Sequence, residues 1–162
     1  MNTGQMLLSL GALILLSTIV LRFNRAVLTS DEVMYNSKFN VLASSLCTSI
    51  IEEARGKAFD ENTDSNSVST VGELSTTLGP EYGETYETFN DFDDFNGFVK
   101  VDSTMPSAVF YVTSKVTYIE ATNPIKVTAN RTWNKMITVT VLSPSMRDPV
   151  KMSSTYSYWF FR

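Results

Sequence analysis

The sequence predicts an α+β protein: a long protruding N-terminal helix, packed at its C-terminal half on an antiparallel β-sheet head. Three observations predict it. No charged side chain occurs from Met1 to Leu21, after which Arg22 and Arg25 arrive. Behind that run, Tyr35, Phe39, Leu42, Leu46 and Ile50 recur at helical spacing, an apolar stripe suited to packing helix against head. The last third alternates apolar and polar residues, the period of strands with one buried face.

Residues 1–57 read as one hydrophobic-to-amphipathic helix. Asn36, Asn40, Ser44, Thr48 and Glu52 cover the face away from the stripe. Thr29 and Glu32 have the spacing of a capping box, which predicts a kink or a restart near residue 29. Arg55, Gly56 and Lys57 predict the end, with cations in the last turn and a glycine suited to a left-handed cap. A continuous helix from Gln5 to Arg55 would be roughly 75 Å long at about 1.5 Å per residue, more than a domain of this size buries by itself.

Residues 58–102 read as an acidic, loop-rich segment with Asn96-Gly97 as a turn, and residues 103–162 as the sheet; together they make one globular head. Phe110, Val112, Val116 and Tyr118 fall on one face of a strand. Ile137, Val139 and Val141 alternate with Met136, Thr138 and Thr140. At the end, Tyr156, Tyr158 and Phe160 oppose Trp159 and Phe161. Turn chemistry at Asn123-Pro124 and at Asn130 separates these runs.

The net charge of −4 argues against nucleic acid as a partner, which needs a basic face. Residues 60–102 hold eleven acids and one lysine, read as a solvated acidic loop, with contact to a neighbour's basic C-terminal half as the alternative. The single cysteine, Cys47, excludes an intrachain disulfide and sits where a small buried hydrophobe belongs. The chain has no histidine, which removes imidazole-based catalysis and imidazole zinc sites. We therefore expect no enzyme, no cofactor and no small-molecule substrate.

The opening run is long enough to span a bilayer core of about 30 Å. A secretory signal fits less well, since "MNTG" lacks a basic region and "STIVLRF" lacks a small-residue cleavage site. As a plain anchor, Arg22 and Arg25 would hold the head in the cytoplasm. Alternatively, the same helix waits in a bilayer and later packs among identical helices, with Gly4, Ser9, Gly11, Ala12 and Ser17 allowing close approach.

The plan resembles type IV pilins and pseudopilins. Within it, "LASSLCTSIIEEARGKAFDE" is similar to the end of the long helix in minor-pilin-like members. "FNDFDDFNGF" is similar to the acidic Asp-Asp-aromatic-Asn-Gly segment that follows there. The resemblance touches about residues 1–100. It implies a filament core made of the N-terminal helices and a surface made of β-rich heads. It also implies a basic leader, and a glutamate at the fifth mature position that pairs with a neighbour's amine. Here Gln5 holds that place if the chain is counted as mature, and Ser9 holds it if a cut follows Gly4.

Four stretches invite sharper readings. Counting back from Gly97, the ligand positions of an EF-hand fall on Phe92, Asp94 and Asn96, so the first ligand is missing. Asp91, Asp93 and Asp94 then read as an acidic turn flanked by packed Phe92, Phe95 and Phe98, with a calcium loop of another geometry as the alternative. We assign no metal. Asn130-Arg131-Thr132 is a glycosylation sequon on a turn. Glu52 and Glu53 point about 100° apart on a helix and read as solvated. The tail "YSYWFFR" reads as a strand between core and interface.

The function expected is that of a structural subunit of an extracellular, type IV pilus-like filament at the cell surface. It polymerises through Leu7, Leu8, Leu10, Leu13, Ile14, Leu16, Ile19 and Val20, with Gln5 as the N-terminal assembly position. Its partners would be identical subunits, and before assembly the inner membrane. The alternatives are a minor pilin or pseudopilin of an assembly or secretion machine, and a single-pass membrane-anchored surface domain.

Overall fold

The computed structural model describes residues 2–158. The chain divides into two compact units, the first 38 residues and the remainder. Helix α1, Thr3–Arg55, is continuous over 53 residues and belongs to both. No restart occurs at residue 29. Thr29 Oγ1 donates to the Arg25 carbonyl at 2.9 Å, so the hydroxyl that would cap a new helix is absorbed by the preceding turn. The end of α1 also differs from expectation. Gly56 is not in the left-handed region, and its N–H is shared between the carbonyls of Glu52 and Glu53 at 3.0 and 3.1 Å.

In the second unit, strands β1 (Val99–Asp102), β2 (Phe110–Glu120), β3 (Asn123–Thr128), β4 (Asn134–Leu142) and β5 (Val150–Ser157) form one antiparallel sheet. The order is β1-β2-β4-β5, and β3 pairs the far end of β2. The stretch Asn123-Pro124 opens β3, and the turn lies just before it at residues 121–122. Trp159, Phe160 and Phe161 lie outside the described residues.

The inner face of the sheet carries Phe110, Val112, Val116 and Tyr118 from β2, Ile137, Val139 and Val141 from β4, and Tyr156 from β5, all buried. Against it lie Phe39, Ala43, Cys47, Ile50, Ile51 and Ala54 of α1. Three of these are small, which brings the helix close to the strands: Cys47 Sγ stands 3.8 Å from the Val139 carbonyl oxygen and 3.9 Å from that of Val150. The expected stripe is thus rotated toward its small residues. Leu42 and Leu46 flank the contact half-buried, and Tyr35 is 54% exposed. Bulk marks an apolar face, but close approach selects the residues that leave room.

The acidic segment holds a short helix α2 (Glu61–Asp64) and two single turns of 3₁₀ helix, Val71–Glu73 and Asp93–Phe95. Asn96 and Gly97 make the predicted turn, and only Gly97 uses positive φ, at +80°. The turn is held on β2: Gly97 N–H donates to the Ser114 carbonyl at 3.1 Å, and Val116 N–H donates to Asn96 Oδ1 at 3.1 Å. Phe92 and Phe95 are fully buried and Phe98 nearly so, with Tyr86 against Phe98 at 4.9 Å between ring centres.

Contrary to the solvated loop expected, Asp60, Asp91, Asp93 and Asp94 are all 0% exposed. The reason lies on β4, where Lys135 shares the inward register of Ile137 and Val139 and is itself fully buried. Its ammonium donates to the Phe59 carbonyl at 2.7 Å, to Asp60 Oδ2 at 2.9 Å and to Asp93 Oδ1. Replacing it by methionine keeps the volume and strands two buried carboxylates, a loss of about 3–5 kcal/mol. Urea unfolding of full-length Lys135→Met in nonionic detergent should show that loss; an unchanged midpoint would mean that the ion cluster does not support the head.

Candidate functional site

The leading stretch of the first unit's helix, as far as Leu21, is apolar on every side. Leu7, Leu8, Leu10, Leu13, Ile14, Leu16, Ile19 and Val20 are each at least half exposed, and Leu13 to Leu16 run through four successive helical directions. No residue of its most apolar 18-residue stretch is buried, and the helix is long and apolar enough to cross a membrane. Full burial of a large apolar side chain contributes about 1.5–3 kcal/mol, so these eight represent on the order of 10–20 kcal/mol that the isolated chain leaves unused.

Three hydroxyls of this half are satisfied within the helix. Ser9 Oγ donates to the Met6 carbonyl at 2.9 Å, Ser17 Oγ to Leu13 at 2.8 Å and Thr18 Oγ1 to Leu15 at 2.8 Å. These three hydroxyls can enter lipid or an apolar protein core without being left unpaired. Gly11 and Ala12 floor a shallow groove between Leu7, Leu8, Leu15 and Leu16, and a side chain added at Gly11 would meet nothing within 4 Å. Another backbone can therefore approach closely there. Gln5 lies exposed in the first turns, where α1 has no acidic residue.

In the second unit, Asn130 is exposed on the β3–β4 turn, and the neighbouring Arg131 Nη1 donates to the Gly72 and Leu74 carbonyls at 2.8 and 2.7 Å. Glu52 is exposed, whereas Glu53 is half-buried and accepts a 2.6 Å hydrogen bond from Tyr86, which corrects its reading as solvated. Burial first, and then Glu53, push the Tyr86 hydroxyl up to about 12. Burial also raises the Cys47 thiol, keeping it protonated and unreactive.

The sequence reading missed Lys135 and Asp60. The available signal was a lysine in the inward phase of an otherwise apolar strand. It also left Asp91 and Asp94 as parts of one turn, and the structure sets them apart from Asp93. Asp91 Oδ1 accepts the Asp93 and Asp94 N–H groups at 2.7 and 3.1 Å, while Asp94 Oδ2 accepts those of Asn90 and Asp91 at 2.9 and 3.0 Å. Burial, then repulsion from Asp93 and Asp94, pushes the Asp91 carboxyl up to about 9 against the pull of Lys135. Burial, followed by Glu84 and Asp94, pushes Glu81 up to about 7.

Both groups hold protons more tightly in the folded chain than in the unfolded one, so their contribution is full below about pH 4 and is lost as pH rises toward about 9. In EDTA, the urea midpoint should fall between about pH 5 and pH 9, and Asp91→Asn should flatten that slope; a midpoint that rises over this range would contradict the assignment. Comparison with protein-family models, with curated proteins and with solved structures gives no significant match. In its order of elements, a long N-terminal helix that begins apolar and ends packed on an antiparallel sheet, the chain has a pilin-like architecture.

Proposed function

We propose that this chain is a structural subunit of an extracellular, type IV pilus-like filament, which polymerises with identical subunits through the apolar half of α1 after a stage in the inner membrane. The observation that carries the reading is the leading stretch of the helix, apolar on all sides, with the hydroxyls of Ser9, Ser17 and Thr18 bonded to its own carbonyls and with open space at Gly11. Spanning a bilayer requires only the apolar surface. The groove at Gly11 and Ala12 adds a place for a second helix, and favours assembly over a plain anchor.

Gln5 favours a second reading. The first turn of α1 carries no carboxylate that would pair with a neighbour's N-terminal amine. A subunit present in few copies, as a minor pilin or a pseudopilin of an assembly or secretion machine, depends less on that repeated contact.

Electron microscopy of sheared surface material, with mass spectrometry of the subunit's N-terminus, separates these readings from a membrane-anchored domain. Leu13→Arg should abolish incorporation, since a central arginine costs about 2.5–3.5 kcal/mol even in a bilayer. Gly11→Leu keeps the helix apolar and fills the groove, so it should insert normally and yet fail to assemble. Filaments of normal length from Gly11→Leu, or the wild type recovered only as detergent-extracted monomer, would overturn the proposal.

A further inference from the structure

The head buries four aspartates with a single buried ammonium beside them. Lys135 spends its three donors on the Phe59 carbonyl, Asp60 and Asp93. Among the described residues no salt bridge reaches Asp91 or Asp94. Each of these two fully buried carboxylates uses one oxygen to accept two backbone N–H groups, and the other, Asp91 Oδ2 or Asp94 Oδ1, has no hydrogen-bond partner among the described residues. Glu81 Oε2 is buried and partnerless as well.

These orphaned groups converge. Carboxylate oxygens of Glu81, Asp91 and Asp94 lie within 4.8 Å of one another, and so do those of Glu61, Glu81 and Glu84, with Glu81 common to both sets. Asn90 ties the two sets together, its N–H on Asp94 Oδ2 and its Nδ2 on Glu61 Oε2, both at 2.9 Å. We propose that Glu81, Asp91 and Asp94 bind a calcium-sized divalent cation, with Glu61 and Glu84 adding charge at its outer side.

The chemistry selects the ion. The donors are all hard oxygens, with no imidazole in the chain and its one thiol held elsewhere, against the strands. Calcium binds six to eight oxygens at about 2.3–2.6 Å in flexible geometry, and oxygens that all lie within 4.8 Å of one another fit around one such ion. Magnesium, at about 2.0–2.1 Å, demands near-octahedral geometry and keeps more of its water, which a cluster this rich in carboxylates would have to displace. Ion binding would join the segments carrying residues 61, 81–84 and 91–94, replacing mutual repulsion by shared coordination. The site is independent of whether the chain polymerises.

The test uses the full chain in nonionic detergent, stripped with EDTA and titrated with calcium chloride by calorimetry, with thermal unfolding in parallel. One calcium per chain should bind, with a midpoint between about 1 μM and 1 mM. Saturating calcium should raise the unfolding temperature by several degrees, and magnesium should raise it less. Asp91→Asn and Asp94→Asn keep the acceptors for the backbone N–H groups while removing charge. Each should lose at least about tenfold in calcium affinity. The half-exposed Glu81→Gln tests the same site if a buried variant fails to fold, and Glu120→Gln on the surface should bind as wild type does. No saturable binding below about 10 mM calcium, or equal calcium stabilisation of the wild type and Glu81→Gln, would overturn the site.

Discussion

The second unit depends on one buried ammonium. Residues 58–98 contain little regular structure, so no ladder of their own fixes them; Lys135 does so from the sheet. Through Asp60 it holds the start of α2 and also residue 75, since Asp60 accepts Ser75 N–H at 2.9 Å and Ser75 Oγ at 2.9 Å. Through Asp93 it holds the turn that ends at Gly97. Between them, Ala58 and Phe92 are joined by a 2.9 Å backbone hydrogen bond. A buried ion pair is a weak source of net stability, because desolvating the ions offsets their attraction. A lysine at an inward position on β4 makes costly any packing of this segment that does not deliver acceptors to it.

The two units solve the burial problem in opposite ways. The second buries its own apolar surface, with α1 set close to the strands by Ala43, Cys47 and Ala54. The first has no surface of its own to bury against and leaves its largest side chains exposed. What it does settle internally is polarity, through the hydroxyls of Ser9, Ser17 and Thr18. The drive left over is non-directional, because apolar burial scales with area and not with orientation. Any preferred contact must come from shape, and the relief of this surface changes at Gly11 and Ala12.

Much of this was legible in the sequence, and the limits follow from physics. Strand faces were readable because period-two alternation survives wherever one face is dry, as at Phe110, Val112 and Val116. The continuity of α1 was obscured by Thr29 and Glu32, whose spacing suits a cap as well as a helix interior. The packing face was read through its large residues, Phe39, Leu42, Leu46 and Ile50, because hydropathy rewards size, whereas the contact also uses small ones at Ala43 and Ala54. The acidic segment was misjudged for a stronger reason. Charge density along the chain says where acids are, but their burial is decided by Lys135, which lies 42 residues beyond Asp93.

The same reasoning explains why a template search along one loop could not find the carboxylate cluster. An EF-hand takes its ligands from one twelve-residue stretch, and there the count from Gly97 fails at Phe92. The groups that converge come from three segments, around residues 61, 81–84 and 91–94. They meet because Asp60 and Asp93 are drawn to the lysine on either side of them. Asp91 and Asp94 are thereby carried into the interior in excess of the positive charge available there. A chain that folds around one ammonium while burying four aspartates must either protonate the surplus or share it with a cation. Glu81 and Glu84 add further negative charge at the same point, which makes a shared cation the resolution that satisfies the most oxygens at once.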